Sequence, residues 1–73
     1  MANNNGDWNI IHNNISHGLR TRARMHFLDT FRVKGMWHAT TSTSNWLIDN
    51  GVDPSIAKMY SKMLKAGMTL WFK

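Results

Sequence analysis

Cysteine, glutamate and glutamine are all missing from this sequence of 73 residues. Without cysteine there is no disulfide framework, no thiolate-ligated zinc or iron–sulfur cluster and no thiol nucleophile, so hydrophobic packing is the only staple available. Small secreted domains usually need such staples, which favours a cytoplasmic setting. The acids are four aspartates against nine Lys and Arg, a formal charge of +5 with a pI near 10.3. That balance excludes an acidic nucleic-acid mimic and points to a polyanionic partner. No apolar run approaches the roughly 18 residues of a membrane span. Residues 1–7 lack the basic start and apolar middle of a secretory signal. One domain with a thin core is expected, since a chain near this length buries only about 60% of the surface it exposes unfolded.

What is there begins with a polar, Asn-rich lead over residues 1–14 that carries a short apolar patch of Trp8, Ile10 and Ile11. That patch is too short to classify by period, and a strand and a hydrophobic tether stay equally open. The folded domain is expected over residues 15–73. From about Ser16 to Lys34 the pattern is helical, with Ser16 as N-cap and Gly35 as stop. Leu19, Ala23, Phe27 and Phe31 step around one face by about 40° each, Val33 and Leu28 widen it at the two margins, and the stripe reads as core. Arg20 and Arg24 lie together, whereas Arg22 sits about 160° away, so the arginines form a girdle rather than a stripe. Met36 to Thr40 suits a short strand. The hydroxyl run Thr40 to Ser44 then offers N-caps for a helix of about two turns through Trp46, Leu47 and Ile48, ending at Asn50-Gly51. Asp53-Pro54 starts a longer helix that Gly67 is expected to stop. Its wheel separates Ile56, Met59, Tyr60, Met63, Leu64 and Ala66 from a polar arc of Ser55, Lys58, Ser61, Lys62 and Lys65. No acid interrupts that arc. Met68 to Lys73 reads as a closing strand.

The expected fold is therefore α+β and helix-rich, three helices with a small two- or three-stranded sheet. Helix, strand, helix, Gly-containing turn, long amphipathic helix, glycine and strand is an order that resembles the winged-helix domain, a variant of helix-turn-helix. The resemblance covers roughly residues 18–73 and rests on pattern. Ile56, Tyr60, Met63 and Gly67 match the inward positions and terminal glycine of a recognition helix, Trp46 to Ile48 its support helix, and Val52 the buried turn residue. Asn50 departs from the family's apolar preference, and the sequence ends at Lys73 before a second wing strand. The resemblance thus implies a wingless form, or a sheet completed by Trp8–Ile11.

By that resemblance the helix at 54–66 enters the major groove of duplex DNA. The contacts would come from Ser55, Lys58, Ser61, Lys62 and Lys65, with Arg20, Arg22 and Arg24 assisting. Three lysines on a helix also suit any solvated surface, and what favours DNA is their union with an unopposed charge and a basic first helix. Lysine is chiefly a point charge for phosphate, so modest sequence specificity is expected unless Arg20, Arg22, Asn45 or a dimer partner reads bases. The function expected is that of a small regulatory DNA-binding protein, with homodimerisation through the edge strand at 68–72 as an added expectation.

The alternative is a small inhibitor or adaptor, similar to those made by phages and mobile elements, that binds an acidic host protein. Four Trp and six Met exceed what so thin a core readily hides, and Trp8, Trp37 and Trp71 are its candidate contacts. A membrane-active cationic segment over 53–73 ranks last, because the first helix has a core stripe of its own. No enzymatic activity, cofactor or metal is expected. His12, His17, His26 and His38 contain no i, i+4 pair, and no Gly-rich phosphate loop occurs.

Overall fold

Two glycines and two capped starts divide the chain. The computed structural model describes residues 3–71, and side chains from Trp8 to Gly67, as four helices: α1 Asn3–Asn14, α2 His17–Lys34, α3 Met36–Asp49 and α4 Pro54–Trp71. Ser16 caps α2 by accepting a hydrogen bond from the Leu19 N–H at 3.3 Å. Gly35 ends α2 and starts α3 at once. Its N–H donates to the Phe31 carbonyl and its carbonyl accepts from the Ala39 N–H, each at 3.0 Å. Its φ of 89° and ψ of −179° lie in a region essentially confined to glycine. Gly51, with φ of 92°, turns the chain between α3 and α4. Asp53 then caps α4: its carboxylate accepts from the Ser55 hydroxyl at 2.5 Å and the Ser55 N–H at 3.1 Å. Those bonds, the hydroxyl's first, hold the Asp53 carboxyl below its ordinary value.

Among the described residues there is no strand, so the fold is all-helical and the expected α+β, winged-helix architecture is incorrect. Met36 to Thr40, expected as a strand, is the first part of α3. The helical spacing of Ala39, Thr43 and Leu47, all fully buried, outweighs the local β-preference of Trp37 and the threonines. The helix thus runs four turns rather than two. Gly67 does not stop α4, and residues 68–71 continue it; Phe72 and Lys73 lie outside the described residues. A glycine inside a helix costs about 1 kcal/mol relative to alanine and ends it only where the backbone turns left-handed. Trp8, Ile10 and Ile11 lie in a helix, neither strand nor tether, so no sheet is available for them to complete.

α2 packs on α3, α3 on α4, and α1 on α4. The main core joins Ile11 and Ile15 to Ala23, Leu47, Val52, Ala57 and Tyr60; a smaller one centres on Phe27 and Ala39, and Leu64 packs against both. Ala39 and Thr43 on α3 and Ala57 and Ser61 on α4, all buried small residues at i, i+4 spacing, keep those helix faces slim. Val52 is buried, as its position in the turn predicts.

Candidate nucleic-acid interface

The α4 arc expected to be polar is split by packing. Lys58, Lys62 and Lys65 are exposed, as is Ser55, whose hydroxyl is held by Asp53. Ser61 is fully buried, and its hydroxyl has no hydrogen-bond partner. It faces the core side of the cleft between α3 and α4 and is not available to a partner. Ala66, assigned to the apolar side, is exposed, and so is Val33, expected at the margin of the α2 core stripe.

Lys58 and Lys62 border a shallow cleft of about 210 Å³ whose opposite wall is α3, with Thr40, Thr41, Ser44 and Asn45. No acid lines it among the described residues. Thr41 and Asn45 stand on the exposed crest of α3 and also line a broader groove of about 630 Å³ between α2 and α3. That groove carries Lys34, His26 and His38, and one acid, Asp29. His26 lies 2.8 Å from the Ser42 hydroxyl and stacks on Trp46 with centroids 5.8 Å apart, which fixes its ring. Asp29 approaches Arg32 at 4.0 Å with both side chains well exposed, so the pair adds little stability. Two grooves therefore flank one crest, and together their walls carry hydroxyls, an amide, three lysines and one carboxylate, Asp29.

The arginines of α2 divide as their angular positions require. Arg22 is exposed on the side of the helix that carries His26 and Asp29. Arg20 and Arg24 point the other way, into a concavity with Tyr60. On α4, Tyr60 is about 160° from both Lys58 and Lys62 at 100° per residue. Arg20 and Arg24 thus lie across α4 from the lysines and do not share their groove. Burial raises the Tyr60 hydroxyl's pKa, and the charges of Arg24 and Arg20 oppose the rise.

Of the tryptophans proposed for protein contact, Trp37 is 72% exposed, and its ring meets His38 edge-on at 5.0 Å. Trp8 is 42% exposed and packs near His12 and Tyr60. The Trp71 side chain lies outside the described residues. Thr41, expected among the N-cap candidates, instead lies inside the continuous α3, one turn from Asn45 on the same face.

Over the described residues, fold and site together define a small all-helical domain with a helix, a glycine-containing turn and a second helix bordering a cleft lined by lysines and no acid. No protein-family model, curated protein or solved structure matches the chain. Among the described residues no helix is long and apolar enough to cross a membrane.

Proposed function

We propose that the protein binds duplex DNA through the α3–turn–α4 unit, docking Lys58, Lys62 and Lys65 on the phosphates. The observation that carries this reading is the cleft in which Lys58 and Lys62 face Thr41 and Asn45 with no carboxylate among them. Lysine supplies sequence-independent attraction, and an exposed Asn on the adjoining crest is the residue type that pairs with adenine. The turn supports the same reading, since a short glycine-containing connection between two helices is the helix-turn-helix grammar. Arg22 and Lys34 extend the charge along the α2 side, whereas Arg20 and Arg24 take no part. With about three phosphates neutralised by α4, the log affinity falls with log salt at a slope of about −3.

The test is a fluorescence-anisotropy titration of a labelled duplex with the parent protein and with Lys58→Glu, Lys62→Glu and Lys65→Glu combined. Binding is expected to disappear while the helical circular dichroism is kept; unchanged or salt-independent binding refutes the proposal. Asn45→Ala is expected to reduce sequence preference more than affinity.

A second reading, a protein-binding adaptor, draws on Val33 and Trp37, which are 80% and 72% exposed on either side of Gly35. Large exposed apolar side chains of this kind suit a protein contact. A pull-down from the native host with and without nuclease separates the two, because only a DNA-mediated partner is lost with nuclease.

A further inference from the structure

On the far side of α4 from the lysine groove, three helices converge on a cup of about 250 Å³. Its wall is Trp8 and His12 from α1, His17, Arg20 and Arg24 from α2, and Tyr60 from α4. No acid lines it among the described residues. Arg20 and Arg24 are one helical turn apart, so both guanidinium groups face the same space. Arg20 Nη1 lies 2.9 and 3.0 Å from the two ring nitrogens of His12, of which only an unprotonated one can accept its N–H. Its Nε is buried and has no hydrogen-bond partner. The Tyr60 hydroxyl reaches the Arg20 carbonyl at 3.4 Å, which ties α4 to this turn of α2. Two guanidinium groups on the wall of one cup suit it to an anion.

The cup does not end at its charged wall. Trp8, Arg24 and Tyr60 also border a second cavity of about 190 Å³, whose remaining wall is chiefly Phe27, Leu28, Met63 and Leu64. A dry apolar cavity of about 150 Å³ accommodates benzene. The second cavity therefore has room for one aromatic ring, next to the guanidinium groups that would hold its charged substituent.

We propose that this paired cavity binds a small amphiphilic anion, an aromatic ring carrying a phosphate, sulfonate or carboxylate. The charged group sits between Arg20 and Arg24, and the ring lies against Phe27, Met63 and Leu64 with Trp8 at its edge. Arg is the residue that matches such oxyanions through its fork of N–H donors. The ring supplies the contact area that an isolated inorganic anion lacks, and the charge supplies what a neutral ring lacks. The site stands independently of DNA binding, because α4 lies between the two.

The test is a titration of the full chain, followed by ¹H–¹⁵N correlation spectra, with phenyl phosphate, phenylacetate, phenol and inorganic phosphate. Phenyl phosphate or phenylacetate is expected to shift the Trp8 indole N–H and the Gly67 amide. At least one of the two binds at least about tenfold more tightly than both phenol and inorganic phosphate; which one identifies the headgroup. Arg24→Gln, a change at an exposed side chain, reduces that affinity at least about tenfold, whereas Arg22→Gln leaves it unchanged. The proposal is overturned if phenol or inorganic phosphate binds as well as both aromatic anions. It is equally overturned if Arg24→Gln binds like the parent, or if the shifted signals fall on Lys58 and Lys62.

Discussion

Replacing Ser61 with alanine should make this protein more stable, against the general trend for core substitutions. The side chain is fully buried and its hydroxyl is unpartnered. A buried hydroxyl without a hydrogen bond costs about 1–3 kcal/mol, and Ser61→Ala removes that cost. Alanine also suits a helix interior better than serine, by about 0.5 kcal/mol. Against these stands the small void left by one oxygen, about 0.3 kcal/mol at the usual cost per unit of cavity volume. The balance favours the variant by about 1 kcal/mol or more. For a domain of this size that raises the thermal midpoint by about 4–8 °C per kcal/mol. Urea titration is the second assay, with the midpoint displaced and the slope unchanged. A midpoint that stays or falls refutes the reasoning, because Ser61 would then be making a bond that matters. The same variant bears on the interface: a buried residue cannot touch DNA, so Ser61→Ala should leave duplex affinity and its salt slope as they are.

Gly35→Ala should destabilise by about 1–3 kcal/mol in a thermal melt, from backbone strain alone, since an added Cβ meets nothing within 4 Å; a neutral outcome would mean that the α2–α3 junction can adopt another conformation. The Asp53 cap predicts an acid-sensitive start to α4. Because the folded carboxyl is lowered from its ordinary 3.8, the cap's stabilisation is present above the unfolded value and is lost as pH falls through the folded one. The Ser55 amide shift should follow that titration with a midpoint below 3.8; a midpoint at or above it counts against the hydrogen bonds from Ser55.

The boundaries were legible in the sequence wherever one residue type has one backbone use. Ser16, Gly35 and the Asp53-Pro54 pair mark α2 and the start of α4 because capping and left-handed φ are local properties. Gly67 carried the same letter as Gly35 without the same backbone, and a letter alone does not distinguish them. The Met36–Thr40 stretch misleads because local β-preference competes with a packing pattern visible only when Ala39, Thr43 and Leu47 are read together. α1 was hidden by its asparagines, which are poor helix formers, yet Trp8, Ile11 and Ile15 at i, i+3 and i+7 carry the signal of a helical face. The lysine side of α4 was readable from the wheel. The burial of Ser61 was not, since it lies at the margin of the polar arc and the neighbouring helix decides its fate. The separation of Arg20 and Arg24 from the lysines depends on tertiary packing, which no single helix wheel contains.

The order in which helices pack has a kinetic consequence. α2 with α3 and α3 with α4 are neighbours along the chain, whereas α1 with α4 joins its two ends. Local pairings form first because they close short loops, so α2, α3 and α4 should assemble before α1 docks. Ile11→Ala, which costs about 2–5 kcal/mol at a fully packed site, should then accelerate unfolding and leave the refolding rate nearly unchanged in stopped-flow chevrons. Trp8 and His12 arrive with that last helix, so the anion cup is completed only at the final step, and any ligand it holds would act as a latch on α1.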